Sequence, residues 1–163
     1  MKLDVHLAMK LLVKDINMND EYYMMEAIKE AKKALLMDEV PVGAIIVQNG
    51  IIIGRGHNLR EKTHLVSKHA EIIAIEDAES HLQSKIIDDA TIYVTIEPCP
   101  MCAYAIMEAH IKKLVFGARD EKRGAISNLD IFNKNLGIKV EIYDKILEEE
   151  CSVLLKEFFK NKR

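Results

Sequence analysis

The stretch TIYVTIEPCPMC, from Thr91 to Cys102, constrains the fold of this chain more than any other. Its first half is apolar, β-branched and alternating in character, which predicts a strand. Pro100 then suits the first turn of a helix, because its fixed φ fits there and its missing N–H is one that a helix start leaves unpaired anyway. A strand therefore passes almost directly into a helix. Cys99 and Cys102 sit at that junction at i and i+3, so their sulfurs project from one side and can share an ion. Taken alone, such a pair is a metal site, a redox couple or a detail of the core.

The elements around it are legible from periodicity. EYYMMEAIKEAKKALLM places Met24, Ala27, Ile28, Ala31 and Leu35 at helical spacing, with Asn19 or Asp20 as the expected N-cap. VPVGAIIVQNGIIIGRG gives two β-branched runs joined by Asn49-Gly50, a pair that tolerates the positive φ of a tight hairpin turn. The polar segment HNLREKTHLVSK leads into KHAEIIAIEDAES, a helix with Ser67 as an available cap, His69 in its first turn, and Ile72, Ile75 and Ala78 on its buried side. KKLVFGA and IKVEIYD read as short strands, and Ile146 to Phe159 supplies Leu147, Cys151, Leu154, Leu155 and Phe158 to a closing helix. A hairpin followed by alternating strands and helices predicts an α/β protein, with a mixed sheet of about five strands covered by helices on both faces. Residues 20–163 form one expected domain, without repeats, low-complexity tracts or a linker, and residues 1–19 are an N-terminal extension to which no role is assigned.

Composition limits the functional classes. With 163 residues, 49% of them hydrophobic, folding buries roughly 68–70% of the unfolded chain's surface, so a core forms without a disulfide framework or a structural metal. The three cysteines are an odd, sparse set in a chain without a secretory apolar segment, which points to a reducing compartment and makes the cytoplasm the expectation. Asp4, Lys10, Lys14 and Asp15 interrupt the apolar runs of the N-terminus, which argues against a signal peptide and excludes a spanning helix there. A net charge of −3 and a pI near 6.1 leave no global positive field, so any RNA contact must use a local patch.

Two sulfurs do not complete a tetrahedral site. His6, His57, His64, His81 and His110 lie in unpatterned or exposed contexts, whereas His69 opens a helix and is followed two residues later by Glu71. An i, i+2 pair diverges in the middle of a helix, so these residues serve one centre only if it lies near the helix's N-terminal end. Two helix N-termini then converge at the ends of adjacent strands, a place where open sheets often bind ligands. With His69, Cys99 and Cys102 as ligands, the fourth position stays open for water, the pattern of a catalytic zinc. Glu71, left off the metal, is free for general acid/base work. Cys151, on the apolar side of the last helix, reads as a buried small hydrophobe.

The combination H-x-E with P-C-x-x-C is the signature of zinc deaminases. PVGAIIV, HAEIIAI, DATIYVTIEPCPMCA and KKLVFGARDEKRGA further resemble, in the same order, stretches of the bacterial tRNA-specific adenosine deaminases, from about Asp20 to the C-terminus. The resemblance implies a three-layer cytidine-deaminase-like fold, zinc on His69, Cys99 and Cys102, proton transfer by Glu71, and a purine contact from Asn58. It also implies hydrolytic deamination of the wobble adenosine in a tRNA anticodon stem-loop, and a homodimer whose partner helps to form the RNA site. Arg119, Lys122, Arg123 and the terminal KNKR, with Phe158 and Phe159 nearby, are candidate RNA contacts. Neither a membrane nor DNA is an expected partner.

Three departures stand out against that family. Lys68 precedes the histidine where relatives carry a small residue, Tyr104 replaces a glycine after the cysteines, and SNL at Ser127 to Leu129 replaces GSL. Lys68 is expected to change the charge at the pocket rim. Deamination of free guanine, cytosine or deoxycytidylate, and a noncatalytic zinc module that binds RNA, are the alternatives.

Overall fold

No proline or glycine occurs between Val5 and Leu36, and the computed structural model, which describes residues 4–133 and 138–163, folds that whole stretch as one helix, α1 (Val5–Leu36). The helix therefore starts well before the expected cap at Asn19 or Asp20. Asp4 is the N-cap, its Oδ1 accepting from the backbone N–H groups of His6 and Leu7 at 3.0 and 3.3 Å. Asp20 instead accepts from Tyr93 Oη at 2.7 Å and lies 3.6 Å from Lys113 Nζ, tying α1 to the sheet. Val5, Leu7, Met9, Leu11 and Leu12, on the first turns, are each more than half exposed.

The hairpin forms as expected. β1 (Gly43–Gln48) and β2 (Ile51–His57) are joined by Asn49 at φ 51° and Gly50 at φ 75°. With β3 (Ala90–Ile96), β4 (Lys113–Ala118) and a β5 reduced to Glu141–Tyr143, they make a five-stranded sheet of order β2-β1-β3-β4-β5. β1 is antiparallel to β2 and β3, and β4 is parallel to β3 and β5. Strands β2 and β3 consequently run the same way and end together.

Helices α2 (Arg60–Thr63), α3 (Ala70–Leu82), α4 (Pro100–Glu108), α5 (Ala125–Leu129) and α6 (Glu148–Asn161), with a 3-10 turn at Ile131–Asn133, complete the described structure. The period of two along the strands distributes side chains to two layers. Ile46, Ile92, Val94, Leu114 and Phe116 pack under α3 and α4, while Ile45, Tyr93 and Val115 pack under α1 and α6. The α/β mixed sheet with helices on both faces is thus borne out. Among the described residues no helix is long and apolar enough to cross a membrane.

Close backbone contact sets where α3 begins. A Cβ on Gly54 would stand 2.3 Å from the Ala74 carbonyl oxygen, and one on Gly56 would stand 2.3 Å from that of Ala70. The helix thus lies directly on β2, and its buried side is Ala70, Glu71, Ala74, Ile75 and Ala78, with Ile72 only partly covered. Ser67 lies outside the helix. The Gly56→Ala variant is expected to lose about 1–3 kcal/mol of unfolding free energy through overpacking, measurable by urea denaturation.

A charged cluster fastens α1 to β2 at the same end. Glu30 lies 2.8 Å from Lys33 Nζ and 3.0 Å from His57 Nδ1, and Arg55 bonds Glu26 at 2.9 Å. Burial opposes the charge on Glu30, but hydrogen bonds with Lys33 and His57 outweigh it and hold the carboxyl below its ordinary 4.5. A carboxyl depressed in the folded state stabilises the fold above its unfolded value and loses that contribution as the pH falls through the native one. Glu30→Gln is expected to lower the melting temperature at neutral pH, and the gap to the parent should close well below pH 4.5.

Candidate active site

Two N-cap positions meet at the candidate site. His69 is the N-cap of α3 and Cys99 the N-cap of α4, both with extended backbones, and neither caps its helix with a side-chain hydrogen bond. Pro100 follows as the first helical residue, as its fixed φ requires. The parallel ends of β2 and β3 bring these helix starts together, placing His69 Nδ1 3.6 Å from Cys99 Sγ and 3.5 Å from Cys102 Sγ. His69, Cys99 and Cys102 have donor atoms within 4.8 Å of one another, the one group among the described residues that can hold a metal ion. The remaining histidines do not join it; His57, for instance, faces Glu30.

Glu71 sits one step inside α3, 3% exposed, and is not part of the donor group. Burial pushes its carboxyl up to about 7, against its own backbone N–H and the positive His69. A hydrogen bond from the Cys102 thiol lowers Cys99 to about 4, and a hydrogen bond with Cys99 raises His69 above its ordinary value. Cys102 shifts upward, because it keeps the proton that it shares with Cys99. The cluster thus already holds a thiolate where a cation would bind.

These groups open onto a cavity of about 250 Å³, also lined by Asn58, Arg60, Arg123 and Phe159. Asn58 is buried at the end of β2. Its Nδ2 donates to the Val40 carbonyl at 3.3 Å and its Oδ1 accepts from the Arg60 N–H at 3.1 Å, which leaves one N–H and one lone pair for a ligand. The sequence-derived residues Asn58, His69, Glu71, Cys99 and Cys102 therefore meet at one place, with Cys102 beneath the floor.

The basic candidates divide. Arg119 bonds Asp144 at 2.7 Å, and Lys162 bonds Asp38 at 2.6 Å, whereas Lys122 and Arg123 are exposed and Arg123 reaches the cavity. Phe158 is buried and Phe159 is half exposed at the mouth. Lys68 bonds Glu76 at 2.6 Å, and the cavity lining does not include it. Tyr104 is 46% exposed on α4.

Sequence reasoning missed two buried acids. Glu97 accepts hydrogen bonds from the N–H groups of Asp120, Ile126 and Ser127 and from Ser127 Oγ, at 2.6 to 3.0 Å. Glu39 is fully buried and accepts from the N–H groups of Glu61 and Lys62 at 3.1 and 2.6 Å. The available signal for Glu97 was a lone acid closing an apolar strand beside Pro98 and Cys99; Glu39 had none.

The MafB19-like deaminase family matches residues 18–163. A tRNA-specific adenosine deaminase of Bacillus subtilis is 46% identical over 147 residues, 88% of this chain and 91% of the relative. One of Aquifex aeolicus is 43% identical over 150 residues, 90% of this chain and 97% of the relative. The chain belongs to the tRNA-specific adenosine deaminases. For this deaminase, the fold agrees with a solved structure from a study of A-to-I editing by tRNA:A34 deaminases at the wobble position, at 38% identity and a TM-score of 0.80, covering 82% of this chain and 99% of the other. A guanine deaminase from Nitrosomonas europaea, at 20% identity and a TM-score of 0.70, shares the fold, covering 85% of this chain and 83% of the other.

Thiol reactivity reports the state of the deaminase site. In metal-depleted protein, iodoacetamide at pH 6 is expected to alkylate Cys99 rapidly, and added metal should protect it; burial raises Cys151 to about 12, so Cys151 should not react. Peptide mass mapping after a timed quench reads both outcomes.

Proposed function

We propose that this chain converts adenosine to inosine at the wobble position of a tRNA anticodon, with zinc on His69, Cys99 and Cys102 and with Glu71 moving the protons. The observation that carries the reading is the donor spacing beside a buried carboxyl. Nitrogen at about 2.0–2.1 Å and sulfur at about 2.3 Å from a tetrahedral zinc stand about 3.6 Å apart, and His69 Nδ1 lies 3.6 and 3.5 Å from the two sulfurs. Three ligands with Glu71 left over match an open site more closely than a closed structural one.

Zinc, when bound, supplies an acidified water as the nucleophile for purine C6. Glu71 would take a proton from the attacking water, deliver it to the ring nitrogen and carry the second proton to the departing amine, so that water and adenosine would give inosine and ammonia. A carboxyl that burial raises to about 7 changes protonation state readily near neutral pH. Asn58 offers its free N–H and lone pair to the purine edge. The base must leave the anticodon loop to enter the cavity, which costs less from a loop than from a duplex. Arg123 and Lys122 lie exposed beside the mouth for the flanking phosphates.

The proposal includes a homodimer, on the family resemblance and on the exposed Met101 and Tyr104 of α4, and a cytoplasmic location, where tRNA and reduced thiols coexist. An anticodon stem-loop with a wobble adenosine should yield inosine while free guanine, cytidine and deoxycytidylate stay unchanged; turnover of a free base without inosine overturns the RNA reading. Glu71→Ala is expected to keep about one zinc per chain and lose at least about 10²–10⁴ of the rate. His69→Ala and Cys99→Ala should lose the zinc itself, by elemental analysis. Asn58→Ala should raise KM more than it lowers kcat.

A further inference from the structure

Two segments that line the cavity are each anchored by a buried acid. On one side Glu39, 0% exposed, bonds the N–H groups of Glu61 and Lys62 and so fixes the start of α2, from which Arg60 faces the cavity. On the other side Glu97, 2% exposed, spends all four of its lone-pair directions. Its Oε1 accepts from Ile126 and Ser127 N–H at 3.0 and 2.6 Å, and its Oε2 accepts from Asp120 N–H and Ser127 Oγ at 2.9 and 2.7 Å. Between those anchors runs the turn 120–124, from which Arg123 faces the same cavity. Gly124 presses against the carboxyl, since a Cβ there would stand 2.2 Å from it.

The two arginines are left free by this scheme. Among the described residues neither the Arg60 nor the Arg123 guanidinium makes an ion pair or a side-chain hydrogen bond, whereas Arg119 beside them is held by Asp144 and Ser127. The Asp120 carboxylate, also on the wall, is engaged by the N–H groups of Lys122 and Arg123 at 3.1 and 3.0 Å. Ser127, one of the departures from the family pattern, adds its hydroxyl to Glu97 and receives a hydrogen bond from Arg119 at 3.3 Å, which extends the anchor to the neighbouring loop. Guanidinium groups without internal partners, held on stiff supports at two sides of a cavity, suit paired anionic oxygens, and phosphates on either side of a splayed nucleotide present them.

We propose that Glu39 and Glu97 are positioning residues for substrate: each stiffens one segment so that Arg60 and Arg123 grip the phosphates flanking the target nucleotide. This rests on the RNA reading above. A glutamine at either position keeps the volume but turns an N–H towards a backbone N–H, which frees the segment on that side without touching the metal donors.

The test is a set of double-mutant cycles read as KM and kcat on the anticodon stem-loop, with zinc content and melting temperature as controls. Glu97→Gln and Arg123→Ala should each raise KM about tenfold, with kcat within about twofold, full zinc content and a salt slope shallower by about one. Combined, the two should be no worse than Arg123→Ala alone, and Glu39→Gln with Arg60→Ala should behave likewise. The crossed pairs, Glu97→Gln with Arg60→Ala and Glu39→Gln with Arg123→Ala, should be additive. Additive matched pairs, or a lower melting temperature with KM unchanged, would overturn the proposal. Where Glu97→Gln does not fold, Ser127→Ala removes one of the same hydrogen bonds and should raise KM in the parent but not in the Arg123→Ala background; an equal rise in both contradicts the proposal. A parent that makes no inosine removes the RNA reading and this inference together, while an active parent with additive cycles removes this one alone.

Discussion

Two helix N-termini aimed at one point are what the site depends on. His69 and Cys99 occupy N-cap positions normally filled by serine, threonine or aspartate, and neither uses its side chain to cap its helix. They are therefore free to turn towards each other, and the partial positive charge of each helix start favours the thiolate that a cation needs. The sheet order makes this meeting possible, because β2 and β3 run the same way and deliver α3 and α4 to one end. Gly54 and Gly56 finish the placement by letting α3 lie on bare backbone.

Three buried glutamates around the cavity show how environment separates roles. Glu97 is saturated by four donors, and Glu39 holds two backbone N–H groups. Hydrogen bonds of that kind fix a carboxylate in place and suit it to holding loops. Glu71 has its own backbone N–H and the Cys102 thiol, and burial raises it to about 7. A carboxyl that burial holds near neutrality is suited to exchanging protons.

Local chemistry wrote much of this into the sequence. The Asn49-Gly50 hairpin, the strand before PCPMC, Pro100 at the first helical position and the pairing of His69 with the cysteines all follow from residue type and spacing. The start of α1 at Val5 differs from the cap expected at Asn19 or Asp20, because no proline or glycine upstream breaks the helix and Asp4 supplies the cap. Ser67 failed as a cap because the turn preceding His69 places it outside the helix. The anchors at Glu39 and Glu97, and the ion pairs that occupy Arg119, Lys162 and Lys68, join residues distant along the chain or on different elements, which periodicity cannot reveal. The side chains that meet at the candidate site are therefore more legible in the sequence than those that hold it.

An open zinc site beside an unligated carboxyl has a distinct donor set. Zinc-edge X-ray absorption of the loaded protein tests it most directly. Two sulfur and two lighter donors are predicted, with one of the lighter pair a histidine nitrogen and the shell unchanged in Glu71→Gln. A third sulfur donor, or a shell that alters when Glu71 is replaced, would contradict it.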